Sequence, residues 1–286
     1  MRTEGQSSNV EDRRGMGRGG RGLVGGGLGM IILVIVGMLF GIDPRVILGL
    51  AGTVQTVQNQ VAPPKVEGKA GPVADPQGAF VSGVLLDTEK TWNTLFAQLG
   101  RSYHEPRLVI FDGATPTACG TGQTAMGPFY CPLDQQVYID LAFYRQLQER
   151  FKAPGDFAQA YVVAHEVGHH VQNQLGIMQK MDEYRRRMSE SQYNALSVRL
   201  ELQADCLAGV WAHHAQNRQL LESGDVEEAM RAASAIGDDT IQRRTQGRVV
   251  PDSFTHGTSE QRMRWFMNGM KSGQISSCNT FEGNQI

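Results

Sequence analysis

From Gly22 to Ile42 the chain carries no charged side chain, and Met30–Phe40 is apolar throughout apart from Gly37. About 20 helical residues at ~1.5 Å each reach ~30 Å, the thickness of a hydrocarbon core. The pattern predicts a single transmembrane helix over residues 22–42. A cleaved signal peptide shares part of this pattern, but the apolar run is long and no Ala-x-Ala site follows it. A buried soluble helix is a third reading, and the unbroken apolar character argues against it. Val46–Val54 is apolar again but too short for a second crossing. Residues 43–76, with Pro63, Pro64, Pro72 and Pro76 among Gln, Gly, Val and Ala, read as a linker.

Downstream the apolar positions become periodic. Val84, Leu85, Trp92, Leu95, Phe96 and Leu99 make a helical stripe over Phe80–Leu99, and Gly100 stops it. Arg107–Phe111 and Gln136–Leu141 are rich in β-branched and aromatic residues and read as strands. A Gly/Thr/Ala loop and the turn-like Gly127–Pro132 lie between them. Asp156 and Gln159 have the spacing of a capping box, opening a helix that runs to Leu175 and stops at Gly176. Leu196, Leu200, Leu207 and Trp211 predict a long helix over Ser191–Gln216. From Val226 on the chain is again mostly helical, with one helix over Thr258–Met270. The expected fold class is α+β: a mainly helical domain over residues 77–286 with a small β-sheet.

Charge adds a direction to the span. Residues 1–21 hold five arginines and show no apolar period, so they read as a disordered basic tail. Only Arg45 and Lys65 follow the span closely. The positive-inside rule then puts the tail in the cytoplasm and the large domain outside the cytoplasmic membrane. Over the whole chain 27 Lys+Arg face 29 Asp+Glu, which gives no overall electrostatic grip on nucleic acid. Four cysteines in an exported domain suggest two disulfides, with three possible connectivities. Cys119–Cys131 is the expected pair, closing a short loop ahead of the second strand. Cys206–Cys278 would then pin the C-terminus to the long helix, although Cys206 also reads as a small buried hydrophobe.

The chemistry sits in Ala164-His165-Glu166-Val167-Gly168-His169-His170. Residues four apart share a helix face, so His165 and His169 can grip one ion from adjacent turns. Glu166 lies about 100° round the helix, beside the pair, where it can face a water without filling a coordination site. The apolar flank Tyr161–Ala164 implies buried histidines, and buried polar groups need partners. Catalytic zinc takes three protein ligands. Glu201 and Asp205 are four apart on the long helix among Ala204 and Ala208. Glu201 is assigned as the third ligand, although other carboxylates could fill that role. Asp205 would accept the outer N–H of a ligand histidine. For the oxyanion, the candidates are His256, Arg262, Tyr161 and Tyr193. His256 lies in a Gly-containing turn before a helix and reads equally as a capping or solvated residue, while Arg262 suits buried carboxylates better. His170, His213 and His214 read as structural or solvated.

His-Glu-x-x-His followed by Glu201-Leu-Gln-Ala-Asp205 resembles the gluzincin proteases. With Gly127–Pro132, Val137-Tyr-Ile-Asp140 and Thr255–Arg262, the chain is more closely similar to a bacterial family of neutral zinc metallopeptidases. The resemblance implies a gluzincin-like fold, one zinc ion per chain and Glu201 as ligand. It also suggests that Val137–Asp140 lies near the metal helix as an edge strand pairing with extended peptide, although the segment reads equally as a core strand. The expected protein is a membrane-anchored zinc endopeptidase with Glu166 as general base, acting on peptide or protein substrates and not on nucleic acid. Two alternatives stay open: a zinc-stabilised binding or scaffold protein with little turnover, and a zinc hydrolase of non-peptide amides such as cell-wall bonds. Oligomeric state is not legible.

Overall fold

In the strands β3 (Arg107–Phe111) and β7 (Gln136–Asp140), alternate side chains enter two different cores. Leu108, Ile110, Val137 and Ile139 face the main core, while Val109, Phe111 and Tyr138 join Cys131 in a smaller one. A strand buried on both faces reads as a continuous apolar run, as Leu-Val-Ile-Phe does. The computed structural model describes residues 1–16 and 67–282. In it β3 and β7 pair in parallel at the centre of a five-stranded sheet, ordered β2-β1-β3-β7-β6. Here β1 is Val10–Asp12, β2 Lys69–Ala70 and β6 Phe129–Cys131. A hairpin of β4 (Ala114–Thr117) and β5 (Gly120–Gln123) stands beside the sheet, and Cys119–Cys131 ties it to β6.

Two sequence expectations about the N-terminal part are corrected. Residues 1–16 are not a disordered tail: β1 pairs in parallel with β3 and antiparallel with β2, and Val10 is only 1% exposed. Charge holds the segment as well, since Arg14 bridges Asp12 and Asp75. The hydrophobic period fails to reveal a three-residue strand, because its support comes from partners about 60 and 100 residues away. Residues 67–76 likewise belong to the fold and not to a linker, with β2 in the sheet and Val73 buried. The predicted span 22–42 lies outside the described residues. Among the described residues no helix is long and apolar enough to cross a membrane.

The helices are α1 (Pro76–Gln98), α2 (Ala142–Glu149), α3 (Asp156–Gln174), α4 (Ile177–Arg185), α5 (Glu190–Asn217), α6 (Asp225–Ala235), α7 (Asp238–Gln246) and α8 (Ser259–Ser272). The mainly helical α+β class is as expected. The capping box on α3 is not: Gly155 is the N-cap, and Asp156 instead accepts from the Met1 amino group at 2.9 Å. The strand β7 is internal, the core-strand reading of Val137–Asp140, and among the described residues the sheet edge beside the metal helix is β6.

The helical body closes on α5 and α8. A Cβ at Gly209 would stand 2.0 Å from Phe266 O, and one at Gly269 1.9 Å from Cys206 O. The two glycines therefore let the backbones touch. Cys206–Cys278 crosses the same seam, so both expected disulfides are formed. Phe157, Tyr161, Trp211 and Phe266 fill the space between α3, α5 and α8, all of them fully buried. This packing leaves little freedom in how α3 faces α5, and the polar centre lies on that contact.

Candidate metal centre

The helix α3 presents His165 and His169 one turn apart, with ring centroids 4.8 Å from each other. Glu201 of α5 meets both: His165 Nε2 lies 3.2 Å from its Oε2, and His169 Nε2 3.5 Å from its Oε1. The approach depends on Gly168, where a Cβ would stand 3.0 Å from Ala204 O. Four zinc ligands at 2.0–2.1 Å in a tetrahedron are about 3.4 Å apart. The two His–Glu distances are close to that separation, and one ligand atom from each of the three side chains lies within 4.8 Å of the others.

The outer nitrogens explain which way the rings point. His165 Nδ1 lies 2.9 Å from Asp205 Oδ1, and His169 Nδ1 lies 2.9 Å from Gln172 Oε1. Both acceptors fix a hydrogen on Nδ1, so both Nε2 atoms turn inward towards a carboxylate. Such a group of lone pairs calls for a cation. Burial opposes a charged His165, but Asp205 and Glu201 outweigh it and raise its pKa to about 10. Burial also opposes the charge on Glu201, yet the two histidines hold its pKa well below the usual carboxylate range. The donor set of two imidazoles and a carboxylate fits zinc.

Behind His165, Asp205 is fully buried and saturated. It accepts from His165, from the Tyr161 hydroxyl and from both arms of Arg262. Burial raises its pKa, and Arg262 and His165 pull it down further, to about 2. Arg262 and Tyr161 are thereby committed to Asp205 and are not oxyanion donors. Tyr193 lies near the start of α5, with the Arg185 guanidinium 5.4 Å from its ring centre.

Glu166 is 8% exposed, and among the described residues no side chain hydrogen-bonds its carboxylate. Burial raises its pKa, against the opposing pull of His169 and His165. His256 comes within electrostatic reach of Glu201 and has a raised pKa: burial lowers it, while Asp238 and Glu201 raise it by more. Its Nδ1 lies 3.2 Å from Asp238 Oδ1. The other oxygen of Asp238 accepts the backbone N–H groups of Thr255, His256 and Gly257. One carboxylate thus fixes both the turn and the ring, leaving Nε2 as the free nitrogen.

Taken together, His165, His169 and Glu201 form a group that could hold a metal ion, with the Glu166 carboxylate buried beside it. Comparison with known proteins agrees. The family described as "Putative neutral zinc metallopeptidase" matches residues 1–281. The chain belongs to this family. Among similar proteins, YpfJ of Escherichia coli strain K12 is 49% identical over 291 residues, taking in 98% of this chain and 99% of YpfJ. Mb2605 of Mycobacterium bovis is 37% identical over 255 residues, 85% of this chain and 84% of Mb2605. Both are named as uncharacterized proteins. No solved structure matches the chain.

In this member of the zinc metallopeptidase family the structure brings together His165, Glu166, His169, Glu201 and Asp205 as the sequence predicts. Sequence reasoning misses Gln172 and Asp238. Gln172 sits three residues after His169, on the same helix face, so helical spacing could have found it. Asp238 has no local signal, since it reaches His256 from 18 residues away. His170 is structural: it lies against the His104 carbonyl and the Tyr130 hydroxyl, and burial pushes its pKa down to about 4. His213 and His214 are structural as well, pairing with the carbonyls of Met270 and Gly273 at the far end of α5.

Proposed function

We propose that this protein is a zinc-dependent endopeptidase that binds one zinc ion per chain through His165, His169 and Glu201. Attached to the membrane through the apolar stretch 22–42, its catalytic domain works outside the cytoplasmic membrane. The observation that carries the reading is the inward-facing His165–His169–Glu201 set with an unpaired, buried Glu166 beside it. A scaffold would need the metal but no spare base.

Zinc held by these residues supplies a Lewis acid and acidifies water. The protein's own groups then divide the proton work. Glu166 takes the proton from water as it attacks the scissile carbonyl, and its raised pKa suits a group that must later release that proton. It delivers the proton to the leaving amine nitrogen. His256, held by Asp238, offers Nε2 to the oxygen that gains charge. A peptide, in preference to other amides, is supported by β6. This edge strand is anchored to the metal helix through Tyr130 and His170, and its outer edge has no strand neighbour among the described residues. An extended chain can add there by main-chain hydrogen bonds. The two disulfides support an oxidising compartment.

The test compares envelope fractions of cells carrying the wild type and Glu166→Gln. New protein termini are expected with the wild type alone, while the variant keeps its zinc and loses about 10²–10⁴-fold in rate. A variant that cleaves as fast as wild type removes Glu166 from the mechanism, and purified protein without stoichiometric zinc removes the metal.

A further inference from the structure

The geometry points to Arg262 as a positioning residue of the metal centre: from α8 it clamps Asp205 in the orientation that holds His165 with Nε2 towards Glu201. This rests on the zinc reading above and assigns the third helix a part in the site. The guanidinium Nε donates to Asp205 Oδ2 at 2.8 Å and Nη2 donates to Oδ1 at 2.9 Å, a two-pronged contact that fixes the carboxylate plane. The fork is itself held, because Nη1 donates to the Ile236 carbonyl at 3.3 Å, just past the end of α6. Arg262 is 2% exposed and Asp205 fully buried, so the contact is shielded from bulk water.

The coupling to the ligand runs through one atom. Oδ1 of Asp205 accepts from Arg262, from Tyr161 and from His165 Nδ1. A carboxylate that rotates to meet a lost donor therefore moves the acceptor of the His165 hydrogen, and with it the ring. The charge balance leads to the same conclusion. Asp205 and Glu201 are two negative groups on adjacent turns of α5, and Arg262 is the cation that compensates the outer one. Lysine in its place would keep the charge and lose the fork.

Four proteins test this: wild type, Arg262→Met, Arg262→Lys and, as control, Arg218→Met. Arg218, the C-cap of α5 and about 20 Å along the helix axis from Asp205, makes the same two-pronged contact with buried Asp87 of α1. Each is measured for zinc affinity by chelator competition, for the visible spectrum of the cobalt-substituted protein, and for urea stability. Arg262→Met is expected to weaken zinc by about 10–100-fold and to alter the cobalt spectrum. Arg262→Lys is expected to fall between it and wild type. Arg218→Met should lose stability while keeping wild-type affinity and spectrum. Folded Arg262→Met with wild-type affinity and spectrum overturns the proposal. If Arg262→Met does not fold, Arg262→Lys decides, and wild-type values for it overturn the proposal. A wild-type protein that binds neither ion overturns the zinc reading itself, and this inference with it.

Discussion

His256 and Asp238 make the clearest case of two residues whose chemistry exists only as a pair. Donation from Nε2 requires the imidazolium, since the Nδ1 hydrogen is already committed to Asp238. The folded pKa is raised, so the charged form is present at low pH and lost as pH rises through that value. Asp238→Asn removes the strongest raising partner, and the alkaline limb of kcat should move to lower pH. His256→Ala should lower kcat by about 10²–10³-fold with zinc content unchanged. Measured pH–rate profiles and metal analysis check both, and an unchanged kcat would return His256 to a capping role. Legibility at this scale follows distance along the chain. His165, Glu166 and His169 declare themselves because one helical turn is a local geometry. Glu201 is recognisable by its Ala-rich surroundings and family resemblance. Asp238 is not, because nothing local distinguishes one carboxylate among 29 acidic residues.

Among the secondary elements, the centre depends on how closely α3 and α5 approach. Gly168 sits between His165 and His169, and any side chain there meets the Ala204 carbonyl at 3.0 Å. Backbone cannot swing aside as a side-chain tip does. Gly168→Ala should therefore separate the helices by a few tenths of an ångström and draw His169 away from Glu201. Zinc affinity is expected to fall about 10-fold or more, as with other losses of ligand support, while far-UV dichroism stays helical. Chelator competition measures the loss, and wild-type affinity would show that the helices have slack. Two long helices are legible almost to the residue, Asp156–Gln174 against an expected end at Leu175 and Glu190–Asn217 against Ser191–Gln216, whereas α1 begins at Pro76, four residues before the expected Phe80. Their apolar positions repeat over many turns. By contrast β6, with Phe129, Tyr130 and Cys131, is too short to show alternation, and Gly127-Pro128 before it reads as a turn. Of the two readings of Val137–Asp140, the core strand is the one the structure bears out, and the edge beside it is β6.

For the molecule as a whole, the first 16 residues alter the expected relation to the membrane. The strand β1 lies between β2 and β3, with Glu11 bound by Arg13 and reached by Arg107 from β3. Neighbouring strands of one sheet share a compartment, since a bilayer cannot pass between partners about 5 Å apart. An inside tail with an outside domain is incompatible with this sheet, whatever path residues 17–66 take. The arginine count of the N-terminal segment overstates its free positive charge, because Arg13 and Arg14 are bound by Glu11, Asp12 and Asp75. Residues 1–16 and 67–282 should therefore react alike with a membrane-impermeant thiol reagent. All four native cysteines are in disulfides, so a single introduced thiol is unique. Ser8→Cys and Ser276→Cys, both at exposed positions, are expected to label to the same extent in spheroplasts. Labelling of Ser276→Cys with Ser8→Cys protected until the membrane is opened would mean that β1 does not dock in the cell. With both disulfides present, the reactive side is expected to be the outer one, which would place the N-terminal strand in the same oxidising space as the metal centre.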